Sequence, residues 1–161
     1  MKTADRTRRL ALMAMLAAIG VLSAHLVAMP VGPARVFPVQ HALNVVAGVK
    51  LGPWPAVTVA FAVGVLRNIL GTGTLLAFPG GMVGALLAGW CYRRRKDPRW
   101  AVAGEVLGTG LGGALLAYPV ATLLMGREVA LLFFVVPFAL SSLTGAAVAY
   151  LVLRVLGDRH M

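Results

Sequence analysis

Apolar runs alternate with short breaks along the whole chain. Read as helices, the runs cover residues 9–28, 36–51, 54–70, 79–92, 100–125 and 129–156. Most lie near the ~20 residues that a helix needs to cross a bilayer, and the second is short. The breaks are turn chemistry or charge: "MPVGP", "LGPWP", "GTGT" with "FPGG", "RRRKDPR" and "GRE". The pattern predicts an all-α integral membrane protein. Residues 1–161 form a single membrane domain, a compact bundle of about six transmembrane helices.

Composition strengthens this picture. The chain is 60% hydrophobic and 12% charged, with a mean hydropathy of +0.87. A soluble domain of this size must carry more charge on its surface. The N-terminus, "MKTADRTRRLALMAMLAAIGVLSAHLVA", has the basic start and apolar stretch of a secretory signal. Its apolar stretch of about 19 residues is long for such a signal, so it reads as the first span.

Charge then sets orientation. With the N-terminus inside, one side holds Lys2, Arg6, Arg8, Arg9, Lys50, Arg93, Arg94, Arg95, Lys96, Arg99, Arg154 and Arg159, twelve of the 15 basic residues. The other side holds Arg35, Arg67 and Arg127. Basic loops stay on the cytoplasmic side, which predicts cytoplasmic termini in a multi-pass protein of the cell membrane. The same bias explains a pI near 11.4 without nucleic acid. No basic stripe with interleaved aromatics is present to bind one. Cys91, the single cysteine, permits no intrachain disulfide and reads as packing.

Small residues recur at four-residue spacing: Ala14 and Ala18 on the first span, Gly80, Gly84 and the Ala85/Gly89 pair on the fourth, and Gly104, Gly108 and Gly112 on the fifth. Such stripes let helix backbones approach closely in lipid, within the bundle or against another protein. "GTGLGG" at 108–113 matches a dinucleotide-binding string, but it sits inside an apolar span and not between a strand and a helix. Helix packing is its reading.

Polar groups at membrane depth are costly unless they pair or line a cavity. "RVFPVQHALN" places Arg35 ahead of the second span and Gln40, His41 and Asn44 on one helical face. The bland reading of His41 is helix glue through a backbone carbonyl. Arg67 and Asn68 end the third span, where a cation suits the helix C-terminus. Yet the outer half offers one acid, Glu128, expected beside Arg127 in a tight turn, so Arg35 and Arg67 lack a protein partner. "GTGTLLAF" is non-helical backbone near membrane depth, tolerated only in a protein-lined or wet cavity. Thr72 and Thr74 offer hydroxyls there. Tyr118 and Thr122, i,i+4 on the fifth span, are placed to line the same space. Ser141, Ser142 and Thr144 read as helix glue. Glu105 reads as an ion-pair partner for the arginine-rich loop. Together these features predict a small-molecule site open to the outside, with Arg35, Gln40, His41, Asn44, Arg67, Asn68, Thr72, Thr74 and Tyr118 as ligand-binding residues.

No Walker motif, zinc-binding motif, intramembrane acid cluster or nucleophile–base set occurs. The expectation is a binder with no catalytic residues, no metal and no cofactor, which needs a partner to become a pump.

"FPVQHALNVVAGVKLGPWPAV" followed by "LRNILGTGTLLAFPGGMVGALLAG" resembles ThiW, a substrate-binding S component of energy-coupling factor (ECF) transporters. The match covers roughly residues 30–92. The resemblance implies a six-helix membrane protein that captures a thiamin-precursor thiazole, hydroxyethylthiazole, from outside. It also implies coupling to a transmembrane T component and two cytoplasmic ATPase subunits. The T component would recognise the small face of the first span, which maps onto Ala14 and Ala18. Alternatives are an S component for another vitamin-like or anionic solute, an intramembrane enzyme using His41, and a passive channel.

Overall fold

The computed structural model describes residues 3–27, 29–31 and 34–157. Three helices begin where the chain supplies a proline. Pro38, Pro53 and Pro98 lie in the first turns of α2 (Pro38–Leu51), α3 (Pro53–Ile69) and α5 (Pro98–Leu107), where a missing N–H costs nothing. Asp97 caps α5 by accepting from Arg99 N at 2.8 Å. Gly52, at φ +88°, makes the reversal between α2 and α3 in a conformation that a side chain disfavours.

The order is α1 (Thr3–Leu26), α2, α3, α4 (Ala77–Arg95), a fifth rod and α7 (Val135–Gly157). The fifth rod comprises α5, a π-helical stretch (Gly108–Gly113), α6 (Ala114–Pro119) and a second π-helical stretch (Val120–Leu124). Among the described residues, the elements are helical with one exception. The "MPVGP" break, read as turn chemistry, opens an antiparallel β1–β2 hairpin, Met29–Val31 with Ala34–Val36.

Two boundaries differ from the sequence reading by six residues. α1 starts at Thr3 and not near Arg9, because a polar sequence with no breaker simply prolongs the helix. The last helix starts at Val135 and not at Val129. Pro137 sits in its first turn, and 126–130 is non-helical. Among the described residues, three helices are long and apolar enough to cross a membrane: Thr3–Ala24, Pro98–Leu124 and Val135–Val155.

The packing is inverted relative to a water-soluble protein. Alanines fill the core, among them Ala47, Ala56, Ala85, Ala88, Ala101, Ala114, Ala117 and Ala146, all at 0% exposure. Large apolar side chains such as Leu22, Ile69, Leu107, Leu123 and Leu151 face outward. In lipid, helices gain nothing by hiding leucine from the solvent, and small residues at the seams bring backbones together.

A close seam of backbones joins α4 to the fifth rod. A Cβ on Gly104 would lie 2.5 Å from Leu87 O, and one on Gly108 would lie 2.8 Å from Gly84 Cα. The next seam residue is Gly113, which abuts Gly80 Cα. Gly112, assigned to this stripe by four-residue spacing, is half-buried and would meet only Val83 Cγ1 at 3.1 Å. The π-helical turn at Gly108–Gly113 inserts one residue and moves the contact on by one position.

The two ends of the bundle differ in chemistry. One end gathers the α1 start, the α2–α3 turn and the α4–α5 turn. There Arg9 Nη2 donates to Leu51 O at 2.8 Å. Arg94 lies over Trp90, Arg95 over Trp100, Lys96 over Tyr92 and Arg154 over Tyr150. A belt of aromatics under cations is the chemistry of a membrane–water interface. Lys2 and Arg159 lie outside the described residues.

Candidate functional site

At the opposite end, a cavity of about 410 Å³ opens between α2, α3, α4 and α7, within the size range of small-molecule sites. It starts from the turn that follows α3. Thr72 N and Gly73 N both donate to Arg67 O, at 2.9 and 3.0 Å, and Gly71 turns at φ +71°. Asn68 Nδ2 donates to Gly64 O at 2.8 Å and to Thr74 O at 3.2 Å. "RNILGTGT" is therefore a self-bonded turn whose residues Gly71–Thr74 line the cavity.

Arg67 lines this cavity while only 1% exposed. Its Nη1 donates to Gln40 Oε1, its Nη2 donates to Thr72 O at 2.8 Å, and Nε is buried without a partner among the described residues. The guanidinium stacks 3.9 Å from the Phe37 ring centroid. All its contacts are neutral: an amide, a carbonyl and a π face. No carboxylate pairs with it among the described residues.

His41 forms the polar floor. Its Nδ1 lies 2.7 Å from Glu105 Oε1. That oxygen also receives Asn44 Nδ2 at 3.2 Å, an obligatory donor, so it acts as acceptor and the imidazole donates from Nδ1–H. Thr109 Oγ1, 2.9 Å from the same oxygen, is a third donor to it and has Gly80 O at 3.0 Å as an alternative. Nε2 of His41 has no protein partner among the described residues, and His41 lines the cavity. In its neutral form, an imidazole held this way offers Nε2 as a hydrogen-bond acceptor. Glu105 is 0% exposed, and its Oε2 is buried without a partner among the described residues. It lies against Gly84, where a Cβ would sit 2.6 Å from Oε2.

The remaining wall is aromatic. Phe133, Phe134 and Phe138 line the cavity with Phe37. Phe133 meets Phe134 edge-on at 5.2 Å, and Phe134 meets Phe138 at 5.9 Å. Ser141 Oγ accepts from Phe37 N at 2.8 Å, tying the entry of α2 to α7. Arg127 lines the mouth and is exposed.

Of the residues singled out in the sequence, the structure brings Gln40, His41, Arg67, Thr72 and Thr74 to the cavity. Asn44 lies one turn deeper, bonded to Gly81 O at 3.1 Å and to Glu105. Asn68 organises the turn without lining the space. Tyr118 is also away from the cavity, because the π-helical insertion turns Thr109 toward it and shifts the phase of the later turns of the rod. Arg35 has its backbone in β2, and its side chain lies outside the described residues. Glu105 does not pair with the arginine-rich loop, since His41 and Asn44 hold it inside the bundle. Arg127 makes no ion pair with Glu128. Ser142 and Thr144 bond backbone carbonyls of their own helix, whereas Ser141 reaches across to Phe37. Ala14 and Ala18 are exposed on α1.

The profile of a known family, described as thiamine-precursor transporter protein (ThiW), matches residues 10–159. The chain belongs to the ThiW family. This is a transporter family and not an enzyme family, so His41 is no longer a candidate for intramembrane catalysis. Family membership implies a small-molecule substrate and a membrane location, in keeping with the apolar helices. Searches of curated proteins and of solved structures gave no match.

Proposed function

We propose that this ThiW-family chain is the substrate-binding S component of an ECF-type transporter, and that it captures hydroxyethylthiazole from the outer face of the cell membrane. The observation that carries the reading is the 410 Å³ cavity at the end remote from the basic belt. Its aromatic wall suits a heteroaromatic ring. Nε2 of His41 is an acceptor for the ligand hydroxyl, and Gln40, Thr72 and Thr74 supply further polar contacts. Arg35 belongs to the same proposed site, as a cation next to the entry of α2.

Helix length supports a sunken site. α2 has 14 residues, a rise of about 21 Å against a hydrocarbon core of ~30 Å. A cavity above its N-terminus therefore sits below the membrane surface. In this reading residues 1–161 form one multi-pass domain of six spans with both termini cytoplasmic, as the distribution of basic residues favours. The chain has no nucleotide-binding motif, so uptake requires a T component and two ATPase subunits. The exposed Ala14 and Ala18 face of α1 is the proposed contact for the T component.

Isothermal titration of the purified protein against hydroxyethylthiazole and thiamin tests the assignment. Saturable binding with preference for the thiazole is expected. Preference for intact thiamin, or binding of neither, refutes the ligand. A second reading, an anionic vitamin-like solute, is favoured by Arg67 and Arg127 on a cavity whose lining includes no acid. Mass spectrometry of co-purified ligand separates the two.

A further inference from the structure

Arg67 carries a full charge that no carboxylate neutralises among the described residues. The chain has five acids, Asp5, Asp97, Glu105, Glu128 and Asp158. Asp158 lies outside the described residues, and none of the other four lines the cavity. Glu105 is the one buried near it, and its bonded oxygen is taken by His41, Asn44 and Thr109. The Arg67 guanidinium has lost almost all contact with solvent and is held from two sides by neutral acceptors on α2 and on the turn after α3. It is fixed in place, and water screens it little.

We infer that Arg67 is a charge filter: the cavity accepts uncharged or anionic heteroaromatic ligands and rejects those with a cationic ring. This deepens the proposed function and rests on it. The chemistry of the ligand class makes the filter useful. A free thiazole has a weakly basic ring nitrogen and is neutral at pH 7. Alkylation of that nitrogen, as in thiamin itself, makes a permanent cation of nearly the same ring. Shape and aromatic stacking scarcely distinguish the two rings, whereas a fixed buried cation does. Two like unit charges roughly 6 Å apart at an effective dielectric near 20 repel enough to change affinity about 100-fold.

The test compares hydroxyethylthiazole with its N-methylthiazolium derivative, titrated into protein in lipid nanodiscs. The wild-type protein should prefer the neutral base by about 100-fold. Arg67→Gln, which keeps an amide donor for Thr72 O, should narrow that ratio at least tenfold, and Arg67→Lys should preserve it. A purely structural role for Arg67 lowers both affinities together and leaves the ratio unchanged, which overturns the inference. So does a ratio in Arg67→Gln that stays at the wild-type value because the added methyl is excluded by size. Should Arg67→Gln fail to fold, salt decides on the wild-type protein. Discrimination by buried Arg67 persists at ~1 M salt, whereas discrimination by exposed Arg127 collapses there. Such a collapse overturns the assignment to Arg67. If the wild-type protein binds the thiazole and the thiazolium equally, the filter fails while the proposed function stands. If it binds neither, the proposed function fails and the filter with it.

Discussion

Replacing Glu105 by alanine removes the acceptor that fixes the His41 ring. Glu105 Oε1 receives three donors, but they do not suffer equally when it goes. Thr109 Oγ1 keeps Gly80 O at 3.0 Å, and Asn44 Nδ2 keeps Gly81 O at 3.1 Å. His41 Nδ1–H is stranded, having lost a charge-assisted bond of 2.7 Å, and so is the second Asn44 Nδ2 hydrogen, whose bond to Glu105 was 3.2 Å. Such a bond contributes about 1.5–3 kcal/mol, and a buried unpaired donor costs about the same order. Part of that loss is offset, because the variant also removes a buried carboxylate with one unpaired oxygen. For ligand binding there is no offset. A ring free to rotate or to change tautomer no longer presents Nε2 as an acceptor in one place. We expect Glu105→Ala to weaken hydroxyethylthiazole binding 10- to 100-fold, about 1.4–2.8 kcal/mol. Glu105→Gln, which retains a neutral acceptor for Nδ1–H, should lose less than tenfold. Titration calorimetry on both variants, with melting temperature as a control for folding, makes the comparison. Wild-type affinity in a well-folded Glu105→Ala protein would show that the carboxylate does not position His41 for the ligand. Equal losses in the two variants would show that charge, and not acceptor geometry, is what matters.

His41→Ala should weaken ligand binding by about 0.5–1.5 kcal/mol or more, with little change in melting temperature. Asn44→Ala, one turn below the cavity, should lower the melting temperature and affect binding less; early melting of His41→Ala with normal binding restores the helix-glue role. Gly113→Ala drives a methyl into the Gly80 backbone and should cost about 1–3 kcal/mol, while Gly112→Ala faces only a movable Val83 methyl at 3.1 Å and should be mild. Comparable melting temperatures for the two glycine variants contradict the rephasing by the π-helical turn. Ala14→Trp and Ala18→Trp, on the exposed face of α1, should abolish cellular uptake and spare the affinity of the isolated protein. Unchanged uptake in both removes this face from coupling.

How much of this site could be read from the sequence depends on which coordinate of a residue matters. Depth along a helix is a matter of counting. Apolar runs located the helices, and Pro38, Pro53, Gly52 and the "GTGT" turn located their ends. Counting from those ends put Gln40, His41 and Arg67 at one level, with Thr72 and Thr74 beside them, and the cavity lies there. Direction around a helix depends on the neighbours and on an unbroken period of 3.6 residues. The fifth rod breaks that period twice, at Gly108–Gly113 and at Val120–Leu124. Constant-period counting therefore chose Gly112 and Tyr118 where the fold uses Gly113 and Thr109. Phe133, Phe134 and Phe138 escaped for a different reason: in an apolar run, a phenylalanine toward lipid and one toward a ligand have the same neighbours in sequence.

Glu105 was misplaced by a subtler route. Counted from the "RRRKDPR" loop, it belongs near the basic end. It lies seven residues beyond Pro98, at the helix start, a rise of about 10 Å, which takes it well into the bundle. Gly84, without a side chain, makes room for the carboxylate. α2 brings His41 down to it, since a helix of 14 residues cannot keep its first turns at the far surface. A short helix, a missing side chain and a rephased neighbour each permit the His41–Glu105 contact, and none of them is a motif. A residue pair across 64 positions is set by the lengths and phases of three helices, so it becomes visible only once the helices are packed.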